Sequence, residues 1–99
     1  MSHAMRLMPE SVLKRIVIVS NQQGLHARPA LLIATEARKF DARVVLAKGP
    51  HEVDATDVLQ IMSLGAAQGE QLTLEGFGND GQPAVEAIEQ LFLRKFDED

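Results

Sequence analysis

The sequence predicts an α+β domain in the order β-α-β-β-α-β-α, a single four-stranded sheet with three helices packed on one face. Three observations carry that expectation. Runs of strand length, β-branched or alternating, fall at 14–20, 43–47 and 71–75, with a shorter one at 51–53. Stripes of helical period fall between them, at 27–40, 58–64 and 81–95. A chain of 99 residues, 45% hydrophobic and 24% charged, can bury one modest core but not two.

Residues 1–12 carry no such pattern and are expected to form a flexible extension in which His3 is inert. The domain proper is expected over 13–96. Ile16-Val17-Ile18-Val19 marks the first strand, apolar on both faces, so periodicity does not say which side packs. Asn21-Gln22-Gln23-Gly24 is a polar turn. The first helix stripe is Ala30, Ile33, Ala34, Ala37 and Phe40, with Glu36, Arg38 and Lys39 opposite. Pro29 is tolerated in the first turn, where backbone N–H groups have no intrahelical partner. Leu31 and Leu32 fall outside the stripe and are expected at the surface.

Asp41 ends that helix, and Gly49-Pro50 turns the second strand into the third. His51 reads as a turn or edge-strand residue. Thr56 or Asp57 can N-cap the second helix, and Gly65 can close it. That helix holds more large apolar residues than one buried face needs. With Ile61 and Leu64 inward, Val58, Leu59 and Met62 cannot all be buried, which suggests a docking surface. Leu72 and Leu74 point inward from the last strand. Asp80 is a suitable N-cap for the last helix, whose stripe is Ala84, Val85, Ile88, Leu91 and Phe92. Residues 97–99 are expected to be a frayed acidic tail.

Composition narrows the function. Without cysteine there are no disulfides and no thiolate ligands, and no histidine and carboxylate cluster is spaced for a metal, so neither metal nor cofactor is expected. A net charge of −4 and a pI near 5.3 argue against non-specific nucleic-acid binding. No apolar run approaches the roughly 20 residues of a bilayer span, and no leader pattern opens the chain, so a cytoplasmic protein without membrane insertion is expected.

The chemistry-bearing stretch is Gln23-Gly24-Leu25-His26-Ala27-Arg28-Pro29-Ala30. With His26 at the helix start, the N–H groups of Ala27, Arg28 and Ala30 would face whatever the ring carries. A helix N-terminus favours anions, and a guanidinium can grip two phosphate oxygens together. Phosphoryl transfer asks chiefly for positioning and charge stabilisation, which His26 and Arg28 could supply. A lone histidine in this place also fits a plain cap or surface residue. A hydrolase using His26 as nucleophile would lack a paired general base.

Gly24-Leu25-His26-Ala27-Arg28-Pro29-Ala30 resembles the phosphohistidine signature of the HPr family, small carriers of the phosphoenolpyruvate-dependent phosphotransferase system. The likeness runs from about 14 to 94. It includes Asp54 to Gly65 as the family's second helix, Gln68-Gly69-Glu70 before the last strand, and Gly78-Asn79-Asp80 with Ala84-Val85 after it. The resemblance implies an HPr-like open-faced β-sandwich with an antiparallel sheet. It implies a stoichiometric phosphoryl carrier and not an enzyme. Enzyme I would phosphorylate His26 on Nδ1, Arg28 would contact the phosphate, and an enzyme IIA-type acceptor would take the group in sugar uptake or its regulation. Leu31, Val58, Leu59 and Met62 match the family's partner-docking positions.

One departure stands out. Many relatives of this type carry a regulatory serine, the target of HPr kinase, where this chain has Asp57. Asp57 can cap the helix but offers no hydroxyl. The ending Phe96-Asp97-Glu98-Asp99 resembles the family's nitrogen-related branch. The alternative function is a regulatory binding module whose docking face, with Asp57, matters more than transfer. A monomer is expected.

Overall fold

The strand and helix patterns fold in the expected order in the computed structural model, which describes residues 11–98. The elements are β1 (Ser11–Ile18), α1 (Ala27–Ala37), β2 (Arg43–Lys48), β3 (His51–Asp54), α2 (Val58–Ser63), β4 (Gln71–Phe77) and α3 (Gly81–Leu93). Expectations for residues 1–10, His3 included, and for Asp99 lie outside the described residues.

The sheet runs β1-β4-β2-β3, every pair antiparallel, so the two inner strands are β4 and β2. In register, Val17 lies opposite Leu72, and Leu46 lies opposite both Leu74 and Val53. Because side chains alternate across a strand, this places Val17, Leu46, Leu72 and Leu74 on one face. Against them pack Ala30, Ile33, Ala34 and Ala37 of α1 and Ala84, Val85, Ile88, Leu91 and Phe92 of α3, all buried. Each fully buried Leu or Ile contributes about 1.5–3 kcal/mol relative to exposure. The other face is open, with Ile16 and Ile18 exposed on it. That resolves the ambiguity of the doubly apolar β1.

Several boundaries differ from expectation for tertiary reasons. β4 continues through Gly76 to Phe77, although glycines there read as a loop, because both neighbours supply partners: Val44 opposite Gly76, and Ser11 and Arg43 opposite Phe77. β1 accordingly begins at Ser11 and not near 14. α1 stops at Ala37, short of Phe40, as the chain tightens through Lys39 N–H to Glu36 O and Phe40 N–H to Ala37 O. Leu32, expected at the surface, is half-buried against the core, because α1 packs on both α2 and α3 and so buries a wider arc. Phe40 also packs there while half-exposed.

The loop positions at helix ends behave unequally. Gly65, with φ +58°, follows α2 in the left-handed conformation expected of its cap. Asp80 occupies the cap position of α3 but its side chain makes no cap bond. Its Oδ2 instead accepts the backbone N–H of Asp41 at 2.8 Å, fastening the α1–β2 turn to the β4–α3 turn.

Candidate functional site

The loop that delivers His26 is built from the backbone outward. Gly24 N–H donates to Asn21 O, His26 N–H to Gly24 O, and Leu25 N–H to Ala66 O at 3.0 Å. Leu25 is buried and pins the loop to the core. Gly24 has φ +70°, and a Cβ there would collide with the Ala66 carbonyl oxygen, so only glycine fits. Glu70 braces that opposing turn by accepting Ala67 N–H at 2.7 Å and Lys48 Nζ at 3.0 Å. Those two contacts, Ala67 foremost, hold the Glu70 carboxyl below the usual carboxylate range.

His26 is the N-cap residue of α1, with extended backbone (φ −73°, ψ −171°), yet its side chain caps nothing. Its carbonyl accepts Ala30 N–H at 3.1 Å. Ala30 was expected to offer that N–H to a ligand, and this is a correction: the fourth helical residue closes the first intrahelical bond. Pro29 has no N–H. The backbone donors at this helix start are therefore those of Ala27 and Arg28.

The ring is one-third exposed, and its Nε2 lies 2.9 Å from Glu98 Oε2 and 3.1 Å from Oε1. A carboxylate can only accept, so in the neutral ring Nε2 carries the proton and Nδ1 presents its lone pair. Arg28, half-exposed, donates from Nη1 to Phe96 O at 2.7 Å and to Glu98 Oε2 at 3.0 Å. Its Nε and Nη2 have no partner among the described residues. Asn21, fully buried, donates from Nδ2 to Gly24 O at 2.8 Å and to Glu98 Oε1 at 3.0 Å. Both its neighbours there are acceptors, which sets the amide's orientation. Its Oδ1 has no partner among the described residues.

Glu98 thus joins His26, Arg28 and Asn21. The frayed tail expected of 97–99 is corrected at this residue, whose side chain is only 17% exposed. The hydrogen bond from His26, opposed by burial and assisted by Asn21 and Arg28, holds its carboxyl below the usual range. The tail reaches the site by a left-handed turn. Lys95, Phe96 and Asp97 have φ of 55°, 54° and 58°, a conformation costing about 1–2 kcal/mol per non-glycine residue. Offsetting that, the Phe96 ring is wholly buried edge-to-face on Phe92, with centroids 4.9 Å apart.

Sequence reasoning singled out His26 and Arg28, and the structure brings them together. It missed Asn21 and Glu98. Asn21 looked like any polar turn residue, and among the adjacent acids of the tail no pattern marks one as inward.

On α2, Ile61 and Leu64 are buried, while Leu59 is 78% exposed and Met62 39%. Val58 is half-buried against the core. Leu31 is exposed on α1, the helix against which α2 packs. Asp57 caps α2 with its side chain: Oδ1 accepts Gln60 N–H at 3.1 Å and Oδ2 accepts Gln60 Nε2 at 3.3 Å. The nearby hydroxyls are engaged locally, Thr56 Oγ1 donating to Asp54 Oδ1 and Ser63 Oγ to Gln60 O. His51 is exposed on the edge strand β3.

Residues 13–93 match a family model described as PTS HPr component phosphorylation site. The chain is 39% identical over 85 residues to phosphocarrier protein HPr of Treponema pallidum (strain Nichols), covering 86% of this chain and 97% of that one. It is 40% identical over 86 residues to phosphocarrier protein NPr of Shewanella violacea, covering 87% and 94%. The crystal structure of HPr-C-His from Thermoanaerobacter tengcongensis superposes with a TM-score of 0.85 at 35% identity, covering 89% and 99%.

Proposed function

Since the chain belongs to the HPr family, whose members are phosphoryl carriers of the phosphotransferase system and not enzymes, we propose that His26 is its phosphoacceptor. Phospho-enzyme I, charged from phosphoenolpyruvate, delivers the group to Nδ1, and an enzyme IIA-type protein removes it. The observation that carries this reading is the division of labour on the ring. Nε2 is occupied by Glu98, which leaves the Nδ1 lone pair as the available nucleophile, on a residue that opens a helix. The Ala27 and Arg28 N–H groups and the free guanidinium donors of Arg28 would meet the phosphoryl oxygens. The exposed Leu31, Leu59 and Met62, with the rim of Val58, would seat both partners in turn.

Incubation with enzyme I, Mg²⁺ and phosphoenolpyruvate tests the proposal. An acid-labile, alkali-stable adduct is expected on the wild type and absent from His26→Ala. No adduct with a cognate enzyme I would refute it.

The exposure of Leu59 beside the fixed charge of Asp57 favours a second reading, a binding module for which transfer is secondary. If that reading were correct, His26→Ala would retain its regulatory output while Leu59→Ser would lose it. The phosphocarrier reading expects both to fail.

A further inference from the structure

We infer that Glu98 is a positioning residue for the phosphoryl transfer, holding the His26 ring by its Nε2 proton and countering the charge the ring acquires at the reacting nitrogen's expense. The inference rests on His26 being the phosphoacceptor.

The geometry is that of a carboxylate aimed at one ring nitrogen. Both Glu98 oxygens lie within hydrogen-bond reach of His26 Nε2, at 2.9 and 3.1 Å. Neither His26 nor Glu98 is left to find the other by chance. Asn21 Nδ2 grips Oε1 at 3.0 Å and Arg28 Nη1 grips Oε2 at 3.0 Å, so each oxygen has a second donor. Asn21 is itself fixed by Gly24 O within the loop that sets the His26 backbone. Behind Glu98, three consecutive left-handed residues turn the chain back across the helix start, and Phe96 anchors that turn in the core. The burial of Phe96 holds that turn in a backbone conformation that side chains disfavour, and so holds Glu98 at the ring.

The chemistry follows from which nitrogen is held. In the forward step the Nδ1 lone pair forms the bond to phosphorus. The phosphorus–nitrogen bond to the donor's phosphohistidine breaks, and its electron pair remains on the donor ring. The Nε2 proton of His26 stays in place throughout, so positive charge develops on the His26 imidazole and is shared at Nε2, directly against the Glu98 carboxylate. On discharge, the acceptor's nucleophile takes the phosphorus and the electron pair returns to Nδ1. A carboxylate in this relation to an imidazole orients it, selects its tautomer and stabilises the cation, without itself taking the proton. The site is partly open to water, so the contribution is a fraction of what a buried triad carboxylate gives.

The test pairs a rate with a spectroscopic signature on the full-length protein. Uptake from phospho-enzyme I is measured for wild type, Glu98→Ala and Glu98→Gln. The His26 tautomer is read from imidazole ¹⁵N–¹H correlations in mildly alkaline buffer, with thermal denaturation as a check that each variant is folded. Glu98→Ala should slow uptake roughly tenfold and raise the Nδ1–H fraction of the unphosphorylated ring. Glu98→Gln keeps an oxygen that can accept from Nε2, so it should retain the wild-type tautomer with an intermediate rate. Wild-type rate and tautomer in Glu98→Ala would overturn the inference, and so would a slower rate with an unchanged tautomer. If the wild type itself accepted no phosphoryl group, the proposed function would fail, while the tautomer shift would still report on the Glu98 contact.

Discussion

The first turns of α1 and α2 solve the same local problem in opposite ways. Both helices begin with backbone N–H groups that lack intrahelical partners. At α2, Asp57 folds its carboxylate back onto Gln60 N–H, and Gln60 returns its amide to Asp57 Oδ2 and its oxygen to Asp54 N–H. That contact gives the third N–H of the helix a partner from the chain's own side chains. At α1, the N-cap residue His26 makes no such bond, and Pro29 removes a donor that a cap would use. The ring is turned instead towards Glu98. One N-cap side chain is turned onto its own helix, and the other, with no third N–H to cap, is held by a residue from the far end of the chain beside the Ala27 and Arg28 donors. The difference teaches that what an N-cap side chain touches is more informative than whether it caps: Asp80 also makes no cap bond, but its carboxylate is taken by Asp41 N–H.

Substitutions can break this contrast, beginning with the largest effect. His26→Ala should abolish phosphoryl uptake while changing stability by less than about 1 kcal/mol, since the side chain supplies no cap bond and its ion pair is partly exposed. A urea titration alongside the phosphorylation assay checks both; a large destabilisation would mean that the His26–Glu98 contact carries more stability than a partly exposed pair should. Arg28→Ala should slow transfer by roughly 10–100-fold, the worth of about 1.5–3 kcal/mol for a charged hydrogen bond. Rapid-quench transfer kinetics decide the matter, and unchanged rates would contradict the role given to Arg28.

Asp57→Ala inverts the pattern. It should cost about 0.5–2 kcal/mol of stability by removing the cap, with uptake on His26 unaffected at saturating enzyme I. At the same helix start, incubation with HPr kinase and ATP should leave Thr56 and Ser63 unmodified by mass spectrometry, since Asp57 offers no hydroxyl and both neighbours are engaged. A phosphorylated Thr56 or Ser63 would refute that.

The smallest effect is one of pH. The Glu98 carboxyl is lowered in the folded protein, so its contribution to stability is fully present above the ordinary carboxylate range. It is lost as pH falls through the lowered value, because protonation then favours the unfolded chain. The stability difference between wild type and Glu98→Ala should therefore hold at neutral pH and vanish in acid. A difference that grew with acidification would reverse the assigned sign.

Much of this was legible in the residues. The stripes Ala30-Ile33-Ala34-Ala37-Phe40 and Ala84-Val85-Ile88-Leu91-Phe92 are periodic signals, and every one of those side chains is buried except Phe40, which lies beyond the end of α1 and is half-buried. The surplus of apolar residues on α2 is a counting argument, and Leu59 and Met62 are exposed. His26 and Arg28 stood out because a short motif keeps them two residues apart on one turn. Asp80 was readable as a cap by type and position, but a competing donor at Asp41, remote in sequence, took its carboxylate. The end of β4 was misread because glycine signals a turn locally, whereas two flanking strands hold Gly76 in the ladder.

What the sequence by itself determined is whatever depends on neighbours along the chain: helical and strand periods, the glycine at the tight turn before His26, the proline inside the first turn, and the charge type at Asp57. What only the tertiary structure decided is the half of the site that comes from the far end. Glu98 lies 72 residues from His26 in sequence. Its placement depends on Phe96 being buried on Phe92 and on a left-handed turn through Lys95, Phe96 and Asp97 that no residue type there announces. Backbone conformation at such positions is set by long-range burial and hydrogen bonding, which overcome the local preference against it. The proposed nucleophile is written in a motif, and the carboxylate inferred to aim it is placed only by the fold.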